Sequence, residues 1–168
     1  IAELGFFAPR QLGQKIQMTF VDTPGFDDFY GQVLCASRVA DAALITIDAT
    51  AGIQVGTNRV WRRCVALGLP RAIAITGLDR ENASFDKILA DVQKVFGSKC
   101  VPVVFPSSGG MIEVLNTDAP AGDAAANWQT YKNMLLERVA ETDDALLEKF
   151  LGGVELTADE IAKGLRSA

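Results

Sequence analysis

The stretch TFVDTPGFDDF, residues 19–29, joins an apolar segment to a polar turn and predicts the class of fold. The apolar run over residues 16–21 has the character of a buried strand, and Asp22 follows it directly. Gly25 comes three residues later, before a helix-like segment. At the carboxyl end of such a strand an Asp can hold Mg²⁺ through water, and a bare Gly amide can point at a terminal phosphate oxygen. A Pro-Gly turn without any ligand is the alternative, because this dipeptide is common in turns.

The size and composition of the chain favour one well-buried domain. Its 168 residues are 49% hydrophobic with a mean hydropathy of +0.17, which is enough for one core and too little for two large ones. The formal net charge of −5 gives no field that favours nucleic-acid phosphates, so we expect no direct nucleic-acid patch. Apolar runs are far shorter than the roughly 18 residues of a membrane span, so we expect no membrane partner.

The numbers of His and Cys residues narrow the chemistry further. Because the chain has no His, any mechanism that needs a His base, a His metal ligand or a Ser-His-Asp triad is excluded within it. Cys35, Cys64 and Cys100 are odd in number and lack metal-ligand spacing. We therefore expect three buried thiols of a cytoplasmic protein.

Strands and helices alternate along the first two thirds of the chain. Three short apolar runs are typical of strands covered on both faces: residues 42–48, 71–76 and 100–105. Apolar residues at helical spacing predict three helices over residues 30–39, 57–67 and 84–96. Asp27 or Asp28 is expected to cap the first helix. Repeated strand–helix units predict a doubly wound, mostly parallel α/β sheet with right-handed crossovers.

The last third of the chain changes to a polar, acidic and helical pattern. Residues 128–150 have the periodicity of one long helix in which Asp143-Asp144 marks a break. Thr157 and Glu160 form a capping box at the start of a final short helix. We therefore predict two parts, a core over residues 1–106 and an appended helical insert subdomain over residues 107–168.

Three strand ends carry polar residues where the ligands of open α/β sheets bind, namely residues 22–25, 48–52 and 76–79. The first suits a metal ion and a terminal phosphate. At the third, Asp79 can accept two N–H bonds from a base edge such as the N1–H and N2–H₂ of guanine. Capping of the helix near Ser84, or pairing with Arg80, is an equally good interpretation of Asp79.

An ordered series of motifs runs through most of the chain: Asp22-Thr23-Pro24-Gly25, Asp28-Phe29, Ala40-Asp41-Ala42-Ala43-Leu44, Asp48-Ala49, Gly52-Ile53-Gln54-Val55-Gly56-Thr57, Trp61, Gly68-Leu69-Pro70-Arg71 and Leu78-Asp79-Arg80. This series resembles the G domain of the translational GTPases, above all elongation factor G and its homologues with a shortened insert. Two later segments, 139–144 and 148–151, resemble helices of the insert that elongation factor G carries inside its G domain. A series of this length in one order is highly specific.

The resemblance implies a P-loop-NTPase-type G domain that binds GTP or GDP with Mg²⁺ and acts on the ribosome in protein synthesis. In that family the Asp-x-x-Gly element senses the terminal phosphate, and the implied residues on the phosphate side are Asp22, Thr23, Pro24 and Gly25. Asp22 is the implied Mg²⁺ ligand, acting through water. Thr76 and Asp79 stand where the family's Asn-Lys-x-Asp motif binds guanine.

Four departures from the family's pattern limit what the resemblance implies. No Gly-x-x-x-x-Gly-Lys-Ser/Thr loop occurs, which we interpret as truncation, and the last sheet strand with its Ser-Ala guanine loop is also missing. Phe26 stands where elongation factor G has a His that orients the attacking water, so we assign no catalytic residue and expect slow hydrolysis. Thr76 and Gly77 replace Asn and Lys, which lowers the expected guanine affinity. Some short-insert homologues also carry the Thr and an aromatic residue after the Gly of Asp-Thr-Pro-Gly, whereas Gly77 is unusual.

Two functions follow as hypotheses. The first is the GTP-binding part of an elongation factor G-like translational GTPase, which we expect to hydrolyse GTP in its complete form but not as these 168 residues alone. The alternative is a G-domain-like module that binds the ribosome or another partner without hydrolysis. Because the sheet lacks its first strand, we also expect this fragment to self-associate through an exposed edge.

Overall fold

The computed structural model describes residues 18–115 and 119–167, which form two compact units divided between Thr76 and Gly77. The strands of this part of the chain are β1 (Ala43–Asp48), β2 (Arg71–Thr76), β3 (Val104–Ser107) and β4 (Gly110–Glu113). Its helices are α1 (Tyr30–Val39), α2 (Val55–Leu67), α3 (Phe85–Phe96), α4 (Ala124–Ala140), α5 (Asp144–Leu151) and α6 (Ala158–Ser167). A one-turn 3₁₀ helix, Asp27–Phe29, precedes α1.

The first unit is built on a parallel pair of strands with α2 packed on one face. β1 and β2 pair in register over their full length, so both strands end at the same edge, at Asp48 and Thr76. Ile45 of β1 is buried against Cys64 of α2. Leu44 points to the other face, as the alternation of a strand requires, and is 60% exposed.

Local signals fix the two ends of α2. Before its first turn, the Gln54 N–H donates to Thr57 Oγ1 at 3.2 Å. After its last turn, Gly68 adopts a left-handed conformation with φ of 61°, and the Leu69 N–H donates to the Cys64 carbonyl at 2.9 Å. Glycine suits this position because it has no Cβ to oppose positive φ.

The second unit has its main core between α3, the β3–β4 hairpin and α4. Phe105 and Val114 are fully buried and pack against Trp128 and Tyr131 of α4. The Tyr131 ring meets the Phe105 ring edge-on at 5.1 Å, and the Tyr131 hydroxyl donates to Asp86 Oδ1 at 3.1 Å. Burial, followed by the neighbouring carboxylate, raises the pKa of Tyr131 to about 12.

A second cluster in the same unit joins α4, α5 and α6 through Leu135, Val139 and Leu146. The predicted break between α4 and α5 is confirmed, because Asp143 Oδ1 accepts the Ala145 N–H at 2.9 Å at the start of α5.

The predicted capping box of α6 is confirmed as well. Glu160 N–H donates to Thr157 Oγ1 at 3.3 Å, and Thr157 N–H donates to Glu160 Oε2 at 2.9 Å. The α/β class with a parallel pair of strands is confirmed. The predicted helices are also present, α1 with the predicted bounds and the others with ends shifted by a few residues.

The strand predicted over residues 100–105 is wrong in position and in partner. β3 begins at Val104 and pairs antiparallel with β4 around a turn at Ser108-Gly109. A tight turn at this point forces an antiparallel hairpin, whereas a parallel neighbour would need a long crossover.

Two further predictions are wrong near α1. The helix begins after Phe29 without a side-chain cap, so neither Asp27 nor Asp28 caps it. Cys35 is exposed because no residue of α1 is buried, whereas Cys64 is buried and Cys100 is half-buried.

Part of the predicted strand over residues 16–21 lies outside the described residues. In its described portion, Phe20 forms an isolated β-bridge. The boundary after Pro106 remains a prediction, although Phe105 and Trp128 on its two sides share one core. No helix within residues 18–115 and 119–167 is long and apolar enough to cross a membrane.

Candidate functional site

A cavity of about 620 Å³ opens in the first unit along β1 and at the edge where β1 and β2 end. Its wall combines segments that are far apart in sequence: residues 23–27, residues 44–48 of β1, and residues 54–57 at the start of α2. Thr76 contributes from the end of β2. The carboxyl edge of a parallel sheet is where open α/β folds bind their ligands.

The predicted Asp-x-x-Gly turn forms one wall of this cavity. Thr23, Pro24, Gly25 and Phe26 line it, and the Phe26 side chain is 77% exposed. Asp22 precedes these residues, is exposed and does not line the cavity. Its carboxylate makes no hydrogen bond or ion pair with the residues that the structure describes, so it is available to a ligand.

The fold itself does not require a glycine at position 25. Its φ is not positive, so an L side chain can adopt the backbone conformation. A Cβ built on Gly25 would meet no atom of the described residues within 4 Å. The space beside Gly25 is therefore open to a group that approaches the backbone closely, as a phosphate oxygen does.

Asp48, at the second strand end, holds a turn together. Its Oδ1 accepts the Thr50 N–H at 2.9 Å, the Thr50 hydroxyl at 2.6 Å and the Ala51 N–H at 3.1 Å. These bonds close the chain reversal that leads to Gly52, whose φ is 68°. Asp48 therefore shapes the cavity edge and does not offer a free carboxylate.

At the third strand end, Thr76 is exposed, and among the described residues its hydroxyl makes one long hydrogen bond, at 3.4 Å to the Ile47 carbonyl. It therefore keeps capacity for a further hydrogen bond at the cavity edge.

Asp79 lies in the second unit, in a turn closed by the Arg80 N–H and the Gly77 carbonyl at 3.2 Å. Ser84 caps α3 by accepting the Lys87 N–H, so Asp79 does not cap that helix. Within residues 18–115 and 119–167 Asp79 forms no hydrogen bond or ion pair, and its carboxylate is exposed. Neither ordinary role considered for Asp79 is present.

Gly77 has a conformational reason to be glycine. Its φ is 69°, in the left-handed region that a Lys side chain would strain. The conformation of this turn therefore favours Gly over the Lys of the related motif at this position.

The donor set for a metal ion is sparse. In the described ranges no group of three or more His, Cys, Asp or Glu side chains gathers in a way that could hold an ion. A single free carboxylate such as Asp22 fits an ion that takes most of its ligands from phosphates and water, as Mg²⁺ does at nucleotide sites. The residues present therefore fit Mg²⁺ only in company with a phosphate ligand.

One contact beside the cavity was not predicted from the sequence. Arg59 of α2 donates from Nη1 to Asp27 Oδ1 at 3.1 Å, and its guanidinium carbon lies 4.9 Å from the centroid of the Tyr30 ring. No local pattern signals this contact, because 32 residues separate Asp27 from Arg59.

Comparisons with known proteins agree on one family. The family described as "Elongation factor Tu GTP binding domain" matches residues 2–153. An elongation factor G-like protein of Mycobacterium tuberculosis, from strains CDC 1551 and H37Rv alike, is 32% identical over 167 residues, covering 91% of this chain and 23% of the relative. A crystal structure of a Thermus thermophilus protein aligns with a TM-score of 0.77 at 31% identity, covering 95% of this chain and 26% of that protein. The chain thus spans about a quarter of the length of the relatives it matches.

Proposed function

The chain belongs to the family of the elongation factor Tu GTP-binding domain, and on that premise we propose that it is the GTP-binding part of an elongation factor G-like translational GTPase. The observation that supports this most directly is the open space beside Gly25 in the wall of the cavity. Because Gly25 lies in the cavity wall and neither its conformation nor its packing requires glycine, the close approach of a ligand explains this glycine best. The complete protein then acts on the ribosome in the cytoplasm, in protein synthesis.

The turn over residues 22–25 meets the terminal phosphate in this proposal. The Gly25 amide would donate to a phosphate oxygen, and Asp22 is the residue that would hold Mg²⁺ through water. Thr23 and Pro24 set the path of the turn along the cavity wall. When bound, Mg²⁺ neutralises charge on the phosphates.

Asp79 recognises the base. Its exposed carboxylate accepts the N1–H and one N2–H of guanine, a pairing that adenine cannot reproduce because it lacks both donors. Thr76 lies three residues earlier in the same motif and offers a hydroxyl at the cavity edge. Because Gly77 replaces the Lys of the family's motif, guanine affinity depends more on the Asp79 carboxylate. Substitution of Asp79 is therefore the most informative test.

A nucleotide titration tests the proposal. The protein is expressed from its full reading frame and titrated with a fluorescent GTP analogue in the presence of Mg²⁺. Saturable binding that unlabelled GTP and GDP displace, and ATP does not, is the expected result. Absence of binding at about 1 mM nucleotide, equivalent to less than roughly 4 kcal/mol of binding free energy, contradicts it.

Asp79→Asn should change the base specificity of the site as well as lower its affinity for GTP. Asn keeps one acceptor and gains a donor, which no longer matches guanine but matches xanthine, whose C2 carries a carbonyl oxygen. We expect GTP affinity to fall about 10- to 100-fold, from the loss of a charged pair of hydrogen bonds, and xanthosine triphosphate binding to appear. Glu81→Gln removes the same charge from a neighbouring exposed position and is the matched control.

The exposed, apolar Phe26 favours a second candidate function. A side chain without hydrogen-bonding atoms cannot orient an attacking water, so the alternative is a G-domain-like module that binds a partner without hydrolysis. Phosphate release by the full-length protein, measured with and without ribosomes, separates the two functions. Ribosome-stimulated release excludes the alternative.

A further inference from the structure

Arg59 makes two contacts that converge on the junction between the Asp-x-x-Gly turn and α1. Its Nη1 donates to Asp27 in the 3₁₀ turn, at 3.1 Å, and its guanidinium carbon lies over the ring of Tyr30, the first residue of α1, at 4.9 Å from the ring centroid. One side chain from α2 therefore holds both sides of the point where the turn enters the helix. The geometry of Arg suits this task, because the planar guanidinium can stack on a ring while its edge donates to a carboxylate.

An ordinary surface ion pair is the competing interpretation of this contact. The side chains of Arg59 and Asp27 are 44% and 57% exposed, and isolated pairs of this kind contribute little to stability. The difference here lies in what else holds the segment. Neither the 3₁₀ turn nor α1 has a buried residue, and neither helix start has a side-chain cap.

The segment is thus poorly anchored by packing, so a modest contact has a large effect on its position. Phe26 and Phe29 are 77% and 48% exposed and contribute little burial to the turn. Further along α1, Arg63 of α2 donates to Ser37 Oγ only at a long 3.4 Å. Arg59 is the stronger of these two polar contacts between α2 and the segment.

We propose that Arg59 is a positioning residue that holds the Asp22–Gly25 turn in its ligand-ready arrangement and so favours nucleoside triphosphate over diphosphate. The turn already forms a wall of the cavity, with open space beside Gly25. A triphosphate uses that turn through its terminal phosphate, and a diphosphate does not. Preorganisation of the turn therefore lowers the ordering cost for one ligand only. This inference rests on the proposed nucleotide-binding function.

The first measurement follows the turn itself and needs no nucleotide. Amide hydrogen exchange over residues 22–39, which include the turn, is compared between the full-length wild-type protein, Arg59→Ala and Arg62→Ala. Arg62 lies on the same helix, is exposed and has no polar or ring contact with the described residues, so it controls for loss of an Arg from α2. We expect about three- to tenfold faster exchange in Arg59→Ala alone, as the loss of one exposed ion pair and one cation–π contact implies.

The second measurement reads the consequence for nucleotides. Arg59→Ala is expected to weaken binding of a non-hydrolysable GTP analogue about three- to tenfold and to leave GDP binding within about twofold. Tyr30→Phe retains the ring and should bind like the wild type, and Arg59→Lys, which loses the planar stack, should fall between.

Each outcome decides the inference. Equal weakening of GTP analogue and GDP would mean a general structural role and would overturn it, as would unchanged exchange in Arg59→Ala or equal effects in Arg62→Ala. If the wild-type protein binds neither nucleotide while Arg59→Ala still speeds exchange, the proposed function fails and the nucleotide role of Arg59 fails with it, but the contact stands as a structural one.

Discussion

Substitution of Gly25 by Ala separates a requirement of the ligand from a requirement of the fold. The backbone at Gly25 has no positive φ, and the added Cβ would meet no atom within 4 Å in the part of the chain that the structure describes. We therefore expect Gly25→Ala to fold normally and to gain up to about 1 kcal/mol of stability, because Ala restricts the unfolded chain. The methyl group would fill the open space beside the turn, where the proposal has a phosphate oxygen approach the amide.

The expected loss in binding follows from the hydrogen bond that the methyl group obstructs. A bond from a backbone N–H to a charged oxygen contributes about 1.5–3 kcal/mol, which corresponds to about a 10- to 150-fold loss of affinity for a GTP analogue. GDP lacks the terminal phosphate and should bind within about twofold of wild type. Chemical denaturation of the full-length protein gives the stability, and fluorescence titration gives both affinities.

Two other glycines provide controls for Gly25→Ala. Gly31 lies within α1, has no atom within 4 Å of a built Cβ and does not line the cavity, so Gly31→Ala should stabilise by about 1 kcal/mol without changing affinity. Gly52 has a φ of 68°, and Gly52→Ala should destabilise by about 1 kcal/mol or more. If Gly25→Ala behaves like Gly52→Ala, or leaves GTP analogue affinity unchanged, the reasoning about Gly25 is refuted.

Three further predictions concern the second unit. Gly164→Ala would bring a Cβ to 2.6 Å from Cγ1 of the fully buried, stiff Val139, so we expect thermal unfolding to show a net loss of about 1–2 kcal/mol despite the better helix propensity of Ala. The hydrogen bond from Lys149, then that from the Thr157 backbone, lowers the pKa of Glu160 to about 2. The stability that the ionised Glu160 contributes should therefore be complete above about pH 4.5 and lost as the pH falls toward 2. The difference in melting temperature between wild type and Glu160→Gln should vanish over the same pH range. Burial, followed by the Asp86 carboxylate to which the hydroxyl donates, raises the pKa of Tyr131 to about 12. The stability that the protonated Tyr131 contributes is therefore present below about pH 10 and is lost as the pH rises through 12. The free energy of unfolding from chemical denaturation should decrease more steeply over that range in wild type than in Tyr131→Phe.

Elements defined by local signals could be predicted from the sequence. The apolar runs of β1 and β2 and the stripe of α3 were found because burial on a strand or helix face leaves a periodic pattern. The α6 start was found because a capping box is a local pair of hydrogen bonds. The prediction for β3 was wrong because an apolar run does not reveal which strand it pairs with. The turn at Ser108-Gly109 makes β3 pair antiparallel with β4 instead of adding a further parallel strand.

In the candidate site, too, the residues with local sequence signals could be predicted, whereas the contacts that depend on packing could not. Gly25 and Thr76 were found from their positions after apolar runs, and both line one cavity. The different roles of Asp48, which accepts hydrogen bonds from its own turn, and Asp22, which makes none with the described residues, became visible only in the three-dimensional structure. The sequence could not distinguish them, because an Asp stands at the end of both apolar runs. The Arg59 contact was missed since it depends on how α2 packs beside the turn.

In the first unit, the strand ends beside the proposed site are firmly held, whereas the turn and α1 are held weakly. The ends of β1 and β2 are fixed by a full register of paired residues, and Ile45 and Ile47 are buried. The turn and α1 have no buried residue, so their position has a low energetic cost to change. A ligand can shift an equilibrium only by its differential affinity for two states, and here a single phosphate contact of about 1.5–3 kcal/mol is at least as large as the effect of about three- to tenfold expected from Arg59. A rigid strand edge beside a weakly held turn is therefore the arrangement in which one terminal phosphate is sufficient to decide where the turn lies.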